Sequence, residues 1–272
     1  MNYLNLLILI ILSIHGYPTN AQTTGQVKHH MGIEYPGLLP HDLFIWLPPS
    51  YDSLQEKHYP VLYMHDGQNL FDPASSYSGV DWQLDETMDQ LIRDKRVKEA
   101  IIVGIGNNAD RNDEYIPGVK GKLYMKFIVH VIKPMVDSLY RTLTSPEFNF
   151  TGGSSAGGLI AFMLVWEYSD TFSGALCMSP AFKVVDEGHS IDYVKEVNNY
   201  KKDKKPIRVY IDNGGLDIEN ILQPGVDAML IALKDKGYID SELLYVKDPQ
   251  SKHHESAWAK RAPKALMYLL GQ

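Results

Sequence analysis

Residues 148–159 read FNFTGGSSAGGL, and this stretch decides which fold the chain adopts. The residues at 148–151 predict a strand that enters the glycines, and the strongly apolar segment at 159–168 predicts a helix directly behind them. A strand that passes through a tight turn into a helix is the repeating unit of an α/β protein. In such a protein the helix crosses back over the sheet, and the next strand runs parallel to the first.

The turn contains one register of the pattern G-x-S-x-G, formed by Gly153, Ser155 and Gly157. Shifting the pattern back by one residue would put Ala156 at the second glycine position, so Ser155 and not Ser154 is the candidate nucleophile. Glycines allow a sharp turn that exposes the serine hydroxyl, and the helix N terminus behind it offers N–H groups to a developing negative charge. A glycine turn that only packs the helix closely, or one that cradles a phosphate, is the alternative interpretation.

The same alternation extends along the chain in both directions. Short apolar runs typical of buried strands alternate with segments in which apolar residues recur at helical spacing, without a linker or an internal repeat. This pattern predicts one α/β domain with a mostly parallel sheet and helices on both faces. The predicted strands are 42–47, 61–65, 100–105, 148–151, 174–178, 207–211 and 243–246, and the predicted helices are 82–92, 122–140 with a bend at Pro134, 159–168, 225–236 and 256–270.

The composition excludes several classes of protein. The chain has 272 residues, of which 44% are hydrophobic and 22% are charged, which is typical of a folded globular protein and not of a disordered chain. A net charge of −7 argues against binding to nucleic acid, because phosphate contacts require a basic surface. The single cysteine, Cys177, has no second cysteine with which to form an internal disulfide.

The first residues have the pattern of a secretory signal peptide. Residues 5–12 read NLLILIIL, too short an apolar run to cross a bilayer as a helix, and the breakers Gly16 and Pro18 follow it. Cleavage is predicted after Ala21, which divides the chain into a signal peptide at 1–21 and a single domain at 22–272. We therefore expect a soluble protein, secreted or periplasmic, that does not bind a membrane after cleavage. A short membrane anchor or a buried helix is the alternative.

A serine nucleophile needs a base, and the base needs a carboxylate that orients it. In folds of this kind both follow the nucleophile in the sequence, and the carboxylate comes first. Residues 210–217, YIDNGGLD, form a predicted strand that runs into a glycine turn with a carboxylate after it. Residues 252–258, KHHESAW, lie between the last predicted strand and the last predicted helix. Their two histidines are candidate bases, and an exposed polar loop that caps the helix is the alternative.

Four ordered motifs resemble one branch of the α/β-hydrolase superfamily, which includes esterase D, enterochelin esterases, feruloyl esterases and mycolyltransferases. The motifs are 61–71 (VLYMHDGQNLF), 149–159 (NFTGGSSAGGL), 210–217 (YIDNGGLD) and 253–258 (HHESAW), and the similarity covers about residues 40–270. The resemblance implies the α/β-hydrolase fold and an esterase activity. The strand signals leave little length between them for a separate lid domain, so we expect none.

The resemblance also implies roles for the nucleophile and the base. It implies that Ser155 attacks the ester. It implies His253 as the base, because the histidine of this family precedes a tryptophan by five positions, and Trp258 stands five positions after His253. His254 stays an alternative, because the doubled histidine departs from the usual pattern of the family.

The remaining implied residues surround these two. For the carboxylate the best match is Asp217, and Asp212 and Glu219 are the alternatives. The oxyanion would be bound by two backbone N–H groups, those of Gln68 and Ala156, by resemblance to the loop after the third strand and the turn after the nucleophile. Contacts with the substrate are implied for Arg111, Tyr115 and Trp258.

Together these features predict a secreted serine esterase that acts through an acyl-enzyme and uses no metal or organic cofactor. The acidic residues Asp110, Asp113 and Glu114 do not have the spacing of a calcium loop. The expected partner is a small-molecule or polysaccharide-linked ester, with acetyl or feruloyl groups on carbohydrate as the first choice. A siderophore trilactone is the alternative substrate, and a binding protein of the same fold without activity is the alternative of another class. The choice between a monomer and a homo-oligomer stays open.

Overall fold

The computed structural model describes residues 25–186 and 189–272, so the predicted signal peptide at 1–21 lies outside the described residues. Its strands are β1 (Gln26–Ile33), β2 (His41–Leu47), β3 (Val61–His65), β4 (Ile101–Ile105), β5 (Asn149–Ser154), β6 (Gly174–Met178), β7 (Lys183–Asp186), β8 (His189–Asp192), β9 (Arg208–Gly214) and β10 (Leu243–Asp248). An eight-stranded sheet has the order β1-β2-β4-β3-β5-β6-β9-β10, and β7 and β8 form a separate hairpin.

Most of the large sheet is parallel, as the sequence predicts. β2 pairs antiparallel with β1 and with β4, and the six strands β4, β3, β5, β6, β9 and β10 run parallel to one another. The helices are α1 (Leu84–Arg93), α2 (Arg111–Glu114), α3 (Val119–Phe127), α4 (Lys133–Leu139), α5 (Ala156–Glu167), α6 (Val194–Asn199), α7 (Ile218–Asp235) and α8 (Glu255–Leu270).

Both faces of the sheet are covered by helices. Alternate side chains of β3 leave opposite faces: Val61 and Tyr63 pack with apolar residues of α3, α5 and α7, while Leu62 and Met64 pack with those of α1 and α8. Every residue of β3, β4, β5 and β6 is buried, which explains why β3, β4 and β6 read as nearly continuous apolar runs. Within the described residues the structure shows no separate lid domain.

Two predicted helices differ from the structure. The segment predicted as one helix at 122–140 consists of α3, a π-helical segment at Ile128–Ile132, and α4. These pieces are contiguous and have right-handed helical backbone at their junctions, so Pro134 lies inside a continuous helical stretch, just after the π-helical segment, whose wider turn accommodates the N–H that proline lacks. The predicted helix at 225–236 begins earlier, at Ile218, and continues through Pro224.

Five elements were not predicted: the strands β1, β7 and β8 and the short helices α2 and α6. Every residue of β1 is exposed or half-buried, because β1 is one of the two edge strands of the sheet, and its sequence lacks the apolar alternation of a half-buried strand. The two helices have four and six residues, too few to show helical periodicity.

The parallel strands bring their carboxyl ends to one edge of the sheet, where ligands bind in folds of this kind. The loops after β3, β4, β5, β6, β9 and β10 therefore meet at this edge, and they contain the residues discussed below. Among the residues described by the structure, no helix is both long enough and apolar enough to span a bilayer.

Candidate active site

Ser155 lies at the turn between β5 and α5, where the sequence pattern predicts a nucleophile. Its backbone has φ 57° and ψ −124°, a region that residues other than glycine rarely adopt. Hydrogen bonds on both sides hold this conformation. The Ser155 N–H donates to the Met178 carbonyl at 3.0 Å, and the Ser155 carbonyl accepts from the Ala181 N–H at 3.1 Å. The end of β6 and the loop after it therefore fix the turn.

Gly153 permits the close approach of strand and helix at this turn. A Cβ atom at position 153 would lie 2.7 Å from the carbonyl oxygen of Gly157 and 2.8 Å from its carbonyl carbon, which is too close for a side chain. The first glycine of the pattern thus lets the end of β5 contact the first turn of α5, and Ser155 stands at the apex between them.

A cavity of about 460 Å³ opens beside Ser155, within the usual size range of small-molecule sites. Five of the residues predicted for the site line it: Ser155, Gln68, Arg111, His253 and Trp258. The rest of its lining is largely polar and consists of Asp66, Asn69, Tyr77, Asn107, Asn112, Ser154 and Glu255. The structure therefore gathers the predicted alcohol and imidazole at one cavity.

The two adjacent histidines have different environments. The side chain of His253 is 13% exposed, its Nδ1 lies 3.3 Å from Glu219 Oε1, and its ring meets the ring of Trp258 edge-on with 4.9 Å between centroids. His254 is 44% exposed, and its Nδ1 accepts a hydrogen bond from the Ser256 N–H at 3.2 Å, so it caps the N terminus of α8. Of the two, only His253 lines the cavity with Ser155.

The carboxylate beside His253 is that of Glu219, and the prediction of Asp217 at this place is wrong. The Asp217 side chain is 64% exposed and forms an ion pair with Lys252, with 3.3 Å between Oδ2 and Nζ. Asp217 is the residue before α7 and has φ 54°, whereas Glu219 lies in the first turn of that helix and is fully buried. The direction in which the helix starts therefore decides which of the two carboxylates meets the imidazole.

Glu219 is held on both of its oxygens. Oε1 accepts a hydrogen bond from the Ser179 hydroxyl at 2.7 Å, and Oε2 accepts from the Gly214 N–H at 3.0 Å. Burial by itself would raise the pKa of Glu219, but these hydrogen bonds and the contact with His253 outweigh it and hold the pKa below its ordinary value. Glu219 is therefore a carboxylate at neutral pH.

Asp212, the third candidate for the acid, is buried and engaged elsewhere. Its Oδ2 lies 3.0 Å from Arg261 Nε and accepts a hydrogen bond from the Tyr210 hydroxyl at 3.2 Å, while its Oδ1 accepts from the Ser179 N–H at 3.1 Å. Burial raises the pKa of Asp212, and its pairing with Arg261 opposes this rise. The charge of Asp212 is thus matched by a guanidinium and not by an imidazole.

The two N–H groups implied for the oxyanion belong to residues in the first turns of helices. Ala156 is the first residue of α5, and Gln68 lies in a 3-10 turn, Gly67–Asn69, that follows β3. N–H groups at these positions have no carbonyl acceptor within their own helix. Gly67 permits the turn, because a Cβ atom there would lie 2.4 Å from the carbonyl carbon of Gly104.

The implied substrate contacts differ in their positions. Arg111 lines the cavity and forms a two-point contact with Asp66, with 2.6 Å from Nε to Oδ1 and 2.7 Å from Nη2 to Oδ2. Tyr115 is fully buried, so the prediction that it contacts substrate is wrong. The Arg111 guanidinium lies over its ring at 4.9 Å, and the Tyr115 hydroxyl accepts a hydrogen bond from the Asp66 N–H. Tyr115 therefore contacts both members of the Asp66–Arg111 pair and helps to position them.

The acidic residues near α2 lie beside lysine or histidine side chains. Asp110 and Asp113 lie 2.6 and 3.7 Å from Lys120 Nζ, and the buried Glu114 lies 3.3 Å from His41. A different group in the described part of the chain brings three carboxylate oxygens within 4.8 Å of one another, those of Asp81, Asp85 and Glu86. None of these acidic residues lines the cavity with Ser155.

Sequence reasoning missed two residues that contact the acid or its surroundings, Ser179 and Arg261. Ser179 directly follows β6, so its place at the carboxyl end of a predicted strand was a usable signal. Arg261 lies within α8, and nothing in the sequence around it distinguishes it from an exposed basic residue of a helix.

Comparison with known proteins agrees with this architecture. A family model described as "Putative esterase" matches residues 40–268. The uncharacterized protein YbbA of Bacillus subtilis is 22% identical over 247 residues, which are 84% of this chain and 92% of YbbA.

Two solved structures have the same fold. A ferulic acid esterase superposes with a TM-score of 0.73 at 21% identity, over 91% of this chain and 98% of the esterase. The enterobactin esterase FES from Shigella flexneri, in the presence of enterobactin, superposes with a TM-score of 0.74 at 13% identity, over 90% of this chain and 58% of FES. The chain therefore belongs to the esterase family whose model matches it, and it is a carboxylic ester hydrolase of the α/β-hydrolase fold.

Proposed function

We propose that this chain hydrolyses carboxylic esters through an acyl-enzyme formed on Ser155. One observation carries the proposal. Ser155, at the strained turn before α5, lines the same cavity as His253, whose Nδ1 faces the buried carboxylate of Glu219. An alcohol, an imidazole and a carboxylate in this order are the groups by which serine hydrolases activate their nucleophile.

The reaction has two halves. In the first, Ser155 Oγ attacks the ester carbonyl while His253 takes the hydroxyl proton, and the alcohol then leaves with that proton. In the second, His253 takes a proton from water as the water attacks the acyl-enzyme, and the acid leaves while Ser155 regains its proton. The N–H groups of Gln68 and Ala156 hold the oxyanion in both halves, and one such donor typically contributes about 3 kcal/mol.

Glu219 serves as the acid of this triad. Its contact with His253 Nδ1 keeps the ring proton on that nitrogen, so that Nε2 is free to accept the proton of Ser155. Its negative charge stabilises the imidazolium that forms during the reaction. Because Glu219 is fully buried, water does not screen this interaction as it would screen an exposed pair.

A fluorophosphonate ester, which phosphonylates activated serines, tests the nucleophile directly. We expect one label per chain, found by mass spectrometry on the peptide that contains Ser155. The Ser155→Ala variant should take up no label, and the matched variant Ser154→Ala should be labelled like the unchanged protein. Absence of any label would favour the binding protein of the same fold, and a label on a different serine would contradict Ser155 as the nucleophile.

The lining of the cavity supports a neutral, hydroxyl-rich substrate. The amides of Asn107 and Asn112 are groups that exchange hydrogen bonds with sugar hydroxyls. The lining contains two carboxylates, Asp66 and Glu255, and one guanidinium, Arg111, which together carry one net negative charge. Such a lining repels a catecholate siderophore that carries negative charge with its iron. We therefore propose acetyl or feruloyl esters of carbohydrate as substrates.

Two aromatic side chains line the same cavity, Trp258 and Tyr77, of which Tyr77 is 92% exposed. A sugar ring or a feruloyl ring can stack on such surfaces. We expect kcat/KM for acetylated or feruloylated oligosaccharides to exceed that for an iron-loaded siderophore trilactone by at least about tenfold, a difference of about 1.4 kcal/mol. The opposite order would favour the siderophore as the substrate.

The signal pattern at 1–21 supports export of this enzyme to the medium or the periplasm, where an esterified polysaccharide would be encountered. An exported protein that begins at Gln22 would agree with this proposal, and an exported protein that retains the apolar run would contradict it.

A further inference from the structure

Ser179 lies just behind the triad but does not line the cavity. It follows β6, is fully buried, and has φ 44°, a conformation that residues other than glycine rarely adopt. Its N–H donates both to the carbonyl oxygen of Asp212 at 3.0 Å and to Asp212 Oδ1 at 3.1 Å. Strand β9, which contains Asp212, therefore holds the backbone of Ser179 in this unusual conformation.

The hydroxyl of Ser179 makes three hydrogen bonds. Trp258 Nε1 donates to Oγ at 3.1 Å, and Arg261 Nη2 donates to Oγ at 2.8 Å. A hydroxyl has one hydrogen and two acceptor positions, and indole and guanidinium nitrogens can only donate. Both acceptor positions are thus occupied, and the single hydrogen must point to Glu219 Oε1, 2.7 Å away.

We propose that Ser179, fixed by Trp258 and Arg261, is a positioning residue that orients Glu219 toward His253. The inference rests on the proposed function, because it assigns Glu219 to the triad. Ser179 occupies one side of Glu219 Oε1 and His253 Nδ1 contacts the same oxygen, so the position of this atom is set by both. Donation from Arg261 and Trp258 polarises the hydroxyl and strengthens the hydrogen bond that it gives.

The positive charge of Arg261 is balanced by Asp212 and not by Glu219. Arg261 is almost fully buried, and its Nε lies 3.0 Å from Asp212 Oδ2. The titratable and charged groups around Glu219 in the described residues are the imidazole of His253, from the loop before α8, the phenol of Tyr245, whose pKa the charge of Glu219 helps to raise, and, beyond the Ser179 hydroxyl, the Arg261–Asp212 pair. The negative charge of Glu219 therefore interacts mainly with the imidazole of His253. Ser179 orients the carboxylate and does not act as a second counter-ion.

The experiment is the pH profile of kcat/KM for Ser179→Ala with p-nitrophenyl acetate. We expect kcat/KM to fall about tenfold to hundredfold, the effect of one hydrogen bond to a charged group. We also expect the acid limb of the profile to move to higher pH. A carboxylate that accepts one hydrogen bond fewer attracts a proton on the imidazole more strongly, so the pKa of His253 rises.

The matched control is Ser173→Ala. Ser173 stands at the opposite end of β6, and its buried hydroxyl has no hydrogen-bond partner in the described residues, so its removal should change neither rate nor profile. Ser179→Cys, with a weak S–H donor of similar size, should give an intermediate rate and shift, and it replaces Ser179→Ala if that variant does not fold.

The outcomes separate the two proposals. Two results would overturn the role of Ser179 and show that it only fills space in the core. One is an unchanged rate in the Ser179 variants, and the other is a lower rate with an acid limb that does not move to higher pH. A Ser155→Ala variant that keeps full activity overturns the proposed function itself, whatever Ser179 does. Loss of activity in Ser155→Ala together with the upward shift in Ser179→Ala supports both.

Discussion

Replacing His253 by alanine is expected to lower kcat for p-nitrophenyl acetate by about 10⁶-fold, the loss found when the base of a serine hydrolase is removed. His253 shares the cavity with Ser155 and contacts the buried Glu219, so no other described residue can take its place between hydroxyl and carboxylate. The measurement is the turnover rate of the purified variant, with thermal unfolding to verify that it is folded.

His254→Ala is the matched control for this prediction. The variant removes an equally large side chain one position away, but it removes only the cap of α8, which costs about 1 kcal/mol of stability. We expect its turnover rate to stay within about threefold of the unchanged protein, as for a surface substitution. A fully inactive His254→Ala beside an active His253→Ala would show that the base is the other histidine.

Glu219→Gln is expected to lower kcat by about 10⁴-fold, the second-largest effect. The change keeps the size of the side chain but removes the charge that stabilises the imidazolium. Both oxygens of Glu219 accept hydrogen bonds, from Ser179 and from the Gly214 N–H, so the NH₂ group of a glutamine would face a donor on one side. The variant therefore combines a lost charge with a mismatched hydrogen bond.

Asp217→Asn distinguishes the acid assigned from the structure from the acid predicted from the sequence. Asp217 is exposed and pairs with the exposed Lys252, an interaction that solvent screens strongly. We expect this variant to keep its turnover rate within about twofold. A large loss in Asp217→Asn with little loss in Glu219→Gln would restore Asp217 as the acid and contradict the arrangement proposed here.

The agreement between sequence and structure is best where strands are buried on both faces. The runs at 61–65 and 174–178 coincide with β3 and β6, because a strand covered by helices must be apolar along its whole length. The agreement is poor at the edge of the sheet formed by β1. There β1 faces solvent along much of its length, and burial imposes no apolar pattern on its sequence.

The residues of the candidate site also differ in how far the sequence predicts them. Ser155 could be predicted as the nucleophile because the turn that presents it requires a glycine, Gly153. This requirement is visible in the sequence next to Ser155. His253 could be chosen over its neighbour only through the spacing to Trp258, and the two rings do lie against each other. The acid could not be chosen, since Asp217 and Glu219 are two positions apart at the start of a helix, and consecutive helical residues point about 100° apart.

The fold class and the family follow from the sequence alone, and so does the prediction of Ser155 as the nucleophile, because burial and tight turns restrict which residues can stand at each position along one segment. The contact of Glu219 with His253, and the hydrogen bonds of Ser179 with Glu219, Trp258 and Arg261, become visible only in the folded arrangement of the elements. These contacts join β6, α7, α8 and the loop before α8. They depend on the directions in which side chains leave separate elements, and no local pattern encodes those directions.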